Sequence, residues 1–349
     1  MNILIISDAW YPQVNGVVRV YENLIRELTA LGHQVRVLGP SDCGRTLPLP
    51  GYPDIRLSLM PKRAVIDALD QFKPDALHIA TEGPLGNAAR HIAKRRGIEF
   101  TTYFHTQFPE YIAIHVGRYF ENLAEVSKRW ASSFICRFHE ASSQVFVSTP
   151  GVSEMLQSWG LKTPVQVISP GVDTKMFHAS EGLLMKNLKR PVALYVGRIA
   201  PEKNLPDFLD MEWHGSKVII GDGPALAELE ARYPDCHFLG AKFGDELAEY
   251  YRSADVFVFP SRTDTFGMVL IEALACGLPV AAYPVGGPTH IVRHGFLGQL
   301  GIDLSKAALA CLGRPAEERA KRHAHAAETY SWRQAAELMF LSDNPRAAK

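Results

Sequence analysis

The sequence predicts an α/β protein in which parallel sheets are covered by helices on both faces. Apolar runs at residues 3–6, 192–196 and 255–259 have the pattern of strands that are buried on both sides. A loop rich in glycine or polar residues follows each run, and a helix is predicted after each loop. The chain has 349 residues, which is enough for two domains of ordinary size with a core each.

Two stretches of the chain set the expected domain boundaries. The turn-rich residues 167–173 predict the crossing from a first domain, residues 1–170, to a second domain, residues 171–328. Ser331 is a helix N-cap signal at the start of a further amphipathic helix. Residues 329–349 are therefore expected to form a C-terminal helix followed by a tail.

Composition excludes several classes of protein. Lys plus Arg equals Asp plus Glu at 37 residues each, so no overall positive charge favours nucleic acid as a partner. The five Cys residues include no Cys-x-x-Cys pair, which indicates reduced thiols in a cytoplasmic protein and argues against structural zinc. The sequence enters the first predicted strand at once, so we expect no leader, and no apolar run approaches the ~18 residues of a membrane span. Any contact with a membrane is expected to be peripheral.

The most informative stretch is residues 260–279, a loop and helix that follow a buried strand. Asp264 lies in the loop, Phe266 and Gly267 open the helix, and Glu272 follows Asp264 by eight residues. In open α/β sheets, ligands bind where loops follow the carboxyl ends of the strands. Glu272 is the one charged residue on an apolar helix, so we expect it to have a polar partner.

This combination of residue types and spacing resembles the signature of the family 4 retaining glycosyltransferases of the GT-B fold, in which two Rossmann-like domains face each other across a cleft. The resemblance implies that Glu272 binds the ribose hydroxyls of a donor nucleotide. It also implies that Asp264, with backbone N–H groups near Phe266 and Gly267, binds the donor sugar. Most members of the family have Glu where this chain has Asp264, although some glycolipid-forming branches also have Asp.

A second motif, Gly-Arg-x-x-x-Glu-Lys-Asn at residues 197–204, follows the first predicted strand of the second domain. Cations and free N–H groups at such a turn are suited to bind a pyrophosphate. The resemblance implies that both Arg198 and Lys203 bind the donor phosphates. It further implies that the glycine turn containing Gly223 lines the pocket for the nucleotide base.

The first domain contributes two further candidate sites. The turn at residues 8–17 lacks the Gly-x-Gly-x-x-Gly pattern, which argues against a dinucleotide oxidoreductase. The resemblance implies instead that Gly16 and Val17 let the backbone approach the donor. His105 follows a predicted strand over residues 99–104, and the resemblance places it beside the reacting sugar as a positioning group that donates or accepts hydrogen bonds.

A long amphipathic helix is predicted over residues 111–139, with an apolar stripe that includes Trp130, Phe134 and Phe138. Two interpretations remain open for this helix. The stripe can pack against the core, which is the interpretation we favour from the sequence, or the aromatic and basic residues can lie in a bilayer interface.

The sequence thus predicts a retaining hexosyltransferase that uses a nucleotide sugar as co-substrate and needs neither a cofactor nor a metal. UDP is the preferred nucleotide and GDP, as in GDP-mannose, is the alternative. The predicted acceptor is a membrane lipid such as diacylglycerol, and a saccharide acceptor of capsule or lipopolysaccharide synthesis is the alternative. A glycosidase, a nucleotide-sugar epimerase and a binding protein without catalysis are the rival classes.

Overall fold

The computed structural model describes residues 1–13, 15–49, 52–105, 121–315 and 317–342. The chain divides into two compact units. The first unit comprises the chain up to Pro170 together with the chain from Trp332, and the second runs from Gly171 to Ser331.

The first unit contains a parallel six-stranded sheet in the order β2-β1-β5-β6-β7-β8 and a separate antiparallel hairpin, β3–β4. Its strands are β1 (Asn2–Ile6), β2 (Gln34–Leu38), β3 (Thr46–Leu49), β4 (Tyr52–Ser58), β5 (Ala76–Ile79), β6 (Thr101–Phe104), β7 (Gln144–Val147) and β8 (Val165–Val167). Its helices are α1 (Gly16–Ala30), α2 (Pro61–Phe72), α3 (Pro84–Arg96), α4 (Glu121–His139), α5 (Pro150–Ser158) and α13 (Trp332–Phe340).

The second unit contains another parallel six-stranded sheet, in the order β11-β10-β9-β12-β13-β14. Its strands are β9 (Val192–Val196), β10 (Ser216–Ile220), β11 (His237–Phe238), β12 (Val256–Phe259), β13 (Val280–Ala282) and β14 (Gly298–Leu300). Its helices are α6 (Leu205–Leu209), α7 (Leu226–Arg232), α8 (Gly244–Ser253), α9 (Met268–Ala275), α10 (Gly286–Ile291), α11 (Leu304–Ala310) and α12 (Glu317–Thr329).

The central strands are buried as their apolar runs predict. Residues 3–6 of β1 and residues 192–195 of β9 are at most 1% exposed, because helices cover both faces of each sheet. Two residues cap the starts of helices, and for Gly267 this is the position that the sequence predicts. The side chain of Asn15 caps α1 by accepting from the N–H of Val18, and Gly267 caps α9 in a left-handed conformation with φ of 89°.

Some elements differ from the sequence-based expectations. The strand predicted over residues 99–104 begins at Thr101, and hairpin β3–β4 with helix α2 was not predicted. In α4, Phe138 is buried, but Trp130 is 68% exposed and Phe134 is 38% exposed, so our expectation that the stripe packs on the core is wrong for these two residues. Residues 111–120 of that predicted helix lie outside the described residues.

Within the part of the chain that the structure describes, no helix combines the length and the apolarity that are needed to cross a bilayer.

A close backbone contact in the second unit supports the loop that carries Asp264. A Cβ atom added at Gly287 would lie 1.8 Å from the carbonyl oxygen of Phe266. Overpacking of this kind costs about 1–3 kcal/mol, so Gly287→Ala is expected to lower the free energy of unfolding by that amount. Gly295→Ala is the matched control, since no described atom lies within 4 Å of the added Cβ. Chemical denaturation measures both, and equal free energies of unfolding would contradict the prediction.

Candidate active site

The order of strands in the second sheet indicates where a ligand binds. Strands β9, β10 and β11 extend the sheet in one direction, and β12, β13 and β14 extend it in the other. The direction therefore reverses between the neighbouring strands β9 and β12, and ligands of open α/β sheets bind at the carboxyl ends of strands beside such a reversal. The loops that follow these two strands contain both motifs identified in the sequence.

Side chains connect these two loops across the reversal point. The hydroxyl of Thr263 donates to the carbonyl of Glu202 at 3.4 Å, and the amide of Asn204 donates to the carbonyl of Pro260 at 3.2 Å. Asn204 also donates to Asp207 at 2.6 Å. The two motifs are thus parts of one bonded structure, although they lie about 60 residues apart in the sequence.

The strongest connection is an ion pair between Lys203 and Asp264. The Lys203 Nζ lies 2.6 Å from Asp264 Oδ1, and the side chains are 20% and 18% exposed, respectively. Asp264 Oδ2 is buried and has no hydrogen-bond partner among the described residues. A buried carboxylate oxygen without a partner is unfavourable, so this atom is a candidate acceptor for a ligand hydroxyl.

Glu272 has a polar partner, as the sequence predicts. The hydroxyl of Tyr251 donates to Glu272 Oε2 at 3.0 Å. Tyr251 is fully buried, and burial raises its pKa, with a further contribution from Glu272. Because Tyr251 stays protonated, it can hold one oxygen of Glu272 in place at neutral pH.

Three other predicted residues of the second unit, Arg198, Phe266 and Gly223, have different surroundings. Arg198 is exposed on the loop after β9, and its carbonyl accepts from the hydroxyl of Tyr195 at 3.0 Å. Phe266 is 4% exposed and its ring packs edge-on against Tyr330, so the ring belongs to the core and does not face a ligand. A Cβ added at Gly223 would lie 2.3 Å from the carbonyl oxygen of Ile199, which explains the glycine by protein packing alone.

Gly16 differs from Gly223 in this respect. It begins α1, and no described atom lies within 4 Å of the position where its Cβ would be. Gly16 is exposed and Val17, the next residue of α1, is half-buried. Contacts with the described part of the protein therefore do not explain why this position is glycine.

His105 lies at the carboxyl end of β6, as predicted, and is half-buried. Its ring stacks on Tyr103 with a centroid distance of 4.1 Å, and its Nε2 lies 2.9 Å from the hydroxyl of Tyr21. The same hydroxyl lies 2.7 Å from Nε2 of His78. Burial lowers the pKa of His105 to about 3, with smaller contributions from His78 and His139, so the imidazole is neutral at pH 7.

The structure brings Lys203 and Asp264 into direct contact, which the sequence did not predict. It also adds three residues that the sequence analysis missed, Tyr251, Tyr21 and His78. Tyr21 and Tyr251 lie on amphipathic helices and His78 is the one polar residue of β5, so no motif marks any of the three in the sequence. Among the described residues, no group of three or more His, Cys, Asp or Glu side chains has an arrangement that would hold a metal ion.

Comparisons with known proteins match both halves of the chain to glycosyltransferase families. The model of Glycosyltransferase Family 4 matches residues 14–176, and the model of Glycosyl transferases group 1 matches residues 183–327. Among solved structures, sucrose-phosphate synthase from Thermosynechococcus elongatus is similar, with a TM-score of 0.77 and 21% identity over 97% of both chains. This similarity supports the predicted GT-B fold.

Two curated relatives are similar over most of their length. A GDP-mannose-dependent alpha-mannosyltransferase of Mycobacterium tuberculosis is 29% identical over 86% of this chain and 84% of its own. An alpha-monoglucosyldiacylglycerol synthase of Acholeplasma laidlawii is 28% identical over 80% of this chain and 79% of its own. The two family models together cover most of the chain, and the motifs of residues 197–204 and 260–279 lie within the second match. The chain therefore belongs to the family 4 retaining glycosyltransferases of the GT-B fold and is a transferase that uses a nucleotide sugar.

Proposed function

We propose that this glycosyltransferase moves a hexosyl group from a nucleoside diphosphate sugar to the hydroxyl group of a membrane lipid. The observation that carries the donor half of this proposal is the Lys203–Asp264 ion pair beside the strand reversal, with Asp264 Oδ2 buried and without a partner among the described residues. The exposed aromatic residues of α4 support the lipid half.

The donor is bound by groups of different chemistry at one sheet edge. Glu272, held by Tyr251, accepts hydrogen bonds from the ribose hydroxyls. Arg198 and Lys203 bind the diphosphate, and Asp264 accepts from a hydroxyl of the sugar. A lysine ammonium has three N–H donors, so Lys203 can hold Asp264 and a phosphate oxygen at the same time.

The first unit supplies the groups that approach the reacting sugar. No described atom lies within 4 Å of a Cβ added at Gly16, which supports a role in which the backbone of Gly16 and Val17 comes close to the donor. The neutral ring of His105 supports a role as a hydrogen-bonding group that positions the sugar, because a neutral imidazole has one donor and one acceptor.

In the proposed reaction, the bond between the anomeric carbon and the phosphate oxygen breaks, and a bond from that carbon to the acceptor oxygen forms on the same face. The acceptor proton passes to the departing phosphate, so the step needs no nucleophile from the enzyme. Negative charge grows on the diphosphate as the bond breaks, and Arg198 and Lys203 stabilise it. This assignment makes no use of a metal ion.

The identity of the nucleotide is a further part of the proposal, with UDP preferred and GDP as the alternative. The name of the mycobacterial relative specifies GDP-mannose and that of the Acholeplasma relative specifies a glucosylated diacylglycerol.

A lipid acceptor is supported by the surface of α4. The rings of Trp130 and Phe134 stack with their centroids 6.1 Å apart, and both are exposed. Exposed Arg129 and Arg137 lie on the same helix. Exposed aromatic rings beside cations suit the interface of a bilayer that contains anionic lipid. A saccharide acceptor would give this surface no role and is the alternative.

Binding of nucleotides is the first test of the donor. A ligand at 100 times its dissociation constant stabilises the folded protein by about 2.7 kcal/mol, so UDP is expected to raise the melting temperature. ADP and NAD serve as controls and are expected to have little effect. A higher melting temperature with GDP alone would identify GDP, and not UDP, as the nucleotide of the donor. An unchanged melting temperature with both nucleotides would contradict the proposed donor site. Conversion of the donor sugar in the absence of an acceptor would indicate an epimerase.

Replacement of Lys203 tests the role of the ion pair in the reaction. Removing one preorganised donor typically costs about a hundredfold or more in rate, and Lys203→Ala is expected to lower turnover by that factor. Lys242→Ala is a matched control, because Lys242 forms an ion pair with Glu246 at 2.7 Å and its side chain is 24% exposed. Turnover of Lys203→Ala at the level of this control would rule out the phosphate role.

The proposed contact of α4 with a lipid membrane is tested with vesicles of phosphatidylcholine and phosphatidylglycerol. Burying a Phe-sized side chain contributes roughly 1.5–3 kcal/mol, so replacing Trp130 and Phe134 together by Ser is expected to weaken vesicle binding by about tenfold or more. Ile302→Ser is the control, since Ile302 is 88% exposed in the second unit. Equal sedimentation of the double variant and the control with vesicles would contradict a role of α4 at the membrane.

A further inference from the structure

A chain of hydrogen bonds through the first unit leads to His105. The hydroxyl of Thr101 lies 2.8 Å from Nδ1 of His78, and Nε2 of His78 lies 2.7 Å from the hydroxyl of Tyr21. That hydroxyl also lies 2.9 Å from Nε2 of His105. Three elements contribute to this chain, namely α1, β5 and β6, which begins at Thr101 and ends just before His105.

The middle of the chain is completely buried. Tyr21 and His78 are both 0% exposed, and the ring of His78 packs against the rings of Phe146 and Phe340. Burying an imidazole and a hydroxyl is unfavourable unless they are hydrogen-bonded, and an aliphatic side chain would fill this space without that cost. Packing alone therefore does not explain a histidine at position 78.

Burial keeps both histidines neutral. It lowers the pKa of His78 to about 3, as it does for His105, and it raises the pKa of Tyr21. A neutral imidazole has one nitrogen that donates and one that accepts. The position of the proton on each ring is then decided by the groups that the ring contacts.

The hydroxyl of Tyr21 links the two rings because it has only one proton. That proton points to Nε2 of one histidine, and the other histidine must then donate its own Nε2–H to the Tyr21 oxygen. The two histidines consequently have opposite tautomers. The hydroxyl of Thr101 can donate or accept, so it is compatible with either arrangement at His78.

We propose that Tyr21 and His78 are positioning residues that hold the orientation of His105 and set its tautomer together with that of His78, for sugar transfer. This inference rests on the proposed role of His105 in the transfer reaction. A fixed tautomer decides whether Nδ1 of His105 carries a proton, and therefore whether it donates or accepts a hydrogen bond.

The position of Tyr21 on α1 adds a mechanical connection. Val17 lies four residues before Tyr21, so the two residues share one face of the helix. The turn at Gly16 and Val17 and the ring of His105 are thus joined through one buried side chain. Displacement of the start of α1 would be transmitted to His105 by the hydroxyl of Tyr21.

The first experiment uses the wild-type protein with ¹⁵N-labelled histidine. Long-range ¹H–¹⁵N correlation spectra distinguish the two neutral tautomers, and the variants His78→Gln and His105→Ala assign the signals. We expect His78 and His105 each to have one tautomer, and the two tautomers to be opposite. The same tautomer on both rings, or a mixture on His105, would overturn the proposal. This experiment does not depend on whether any variant at Tyr21 folds.

The second experiment removes only the hydroxyl group that links the rings. In Tyr21→Phe the ring of His105 loses the hydrogen bond that orients it, and we expect kcat to decrease by about tenfold or more. The KM for the nucleotide sugar is expected to change by less than about threefold. The His105 signals are expected to change to a mixture of tautomers. Tyr103→Phe is the control for stability and for the spectra, because it removes a buried hydroxyl that bonds to the carbonyl of Ile168.

Activity assays of His105→Ala beside Tyr21→Phe distinguish the positioning role of Tyr21 from the role of His105 in transfer. If His105→Ala loses activity while Tyr21→Phe keeps the kcat of the wild type and one tautomer at His105, the positioning role is overturned and the proposed function stands. If His105→Ala is fully active, its role in transfer is wrong and the positioning role fails with it. Loss of activity in both variants, with the tautomer change in Tyr21→Phe, supports the proposal.

Discussion

The ion pair between Lys203 and Asp264 is the interaction on which the site of the second unit depends. It joins the loop after β9 to the loop after β12. These two strands are neighbours in the sheet, although Lys203 and Asp264 are 61 positions apart in the sequence. Both side chains are mostly buried, so neither charge is well solvated without the other. The backbone around the pair is also fixed, since the N–H of Gly287 donates to the carbonyl of Asp264. The ion pair therefore holds the two motifs in one geometry before any donor is bound.

Much of this arrangement follows from the sequence, and the reasons are physical. Apolar runs predicted the buried strands β1, β9 and β12, and the polar loops that follow them are brought to the carboxyl edge of a sheet by the parallel topology. The pairing of Lys203 with Asp264 was not predictable, because it depends on which strands are neighbours and on side-chain reach. The exposure of Trp130 was also missed, since helical periodicity shows that residues share a face but not what covers that face.

The length of the side chain at position 264 bears on the same ion pair. The carboxylate of a Glu at this position would extend one methylene group farther from the backbone than that of Asp264. The side chain of Asp264 is short, but that of Lys203 is long enough to span the gap between the loops, and its Nζ lies 2.6 Å from Oδ1 of Asp264. The second oxygen of Asp264 remains buried without a partner among the described residues. The side chain of Asp264 thus forms the ion pair through one oxygen and presents the other as a buried acceptor.

Buried tyrosines hold polar groups of the candidate site in the second unit and the ring of His105 in the first unit. The hydroxyl of Tyr251 donates to Glu272, that of Tyr195 donates to the carbonyl of Arg198, and that of Tyr21 is bonded to His105. All three tyrosines are at most 1% exposed. A tyrosine ring is held rigidly by core packing while its hydroxyl reaches a polar neighbour, so little conformational entropy is lost when a ligand binds. The rigidity of the two cores is in this way transmitted to the carboxylate, the loop and the imidazole that we assign to donor binding and sugar transfer.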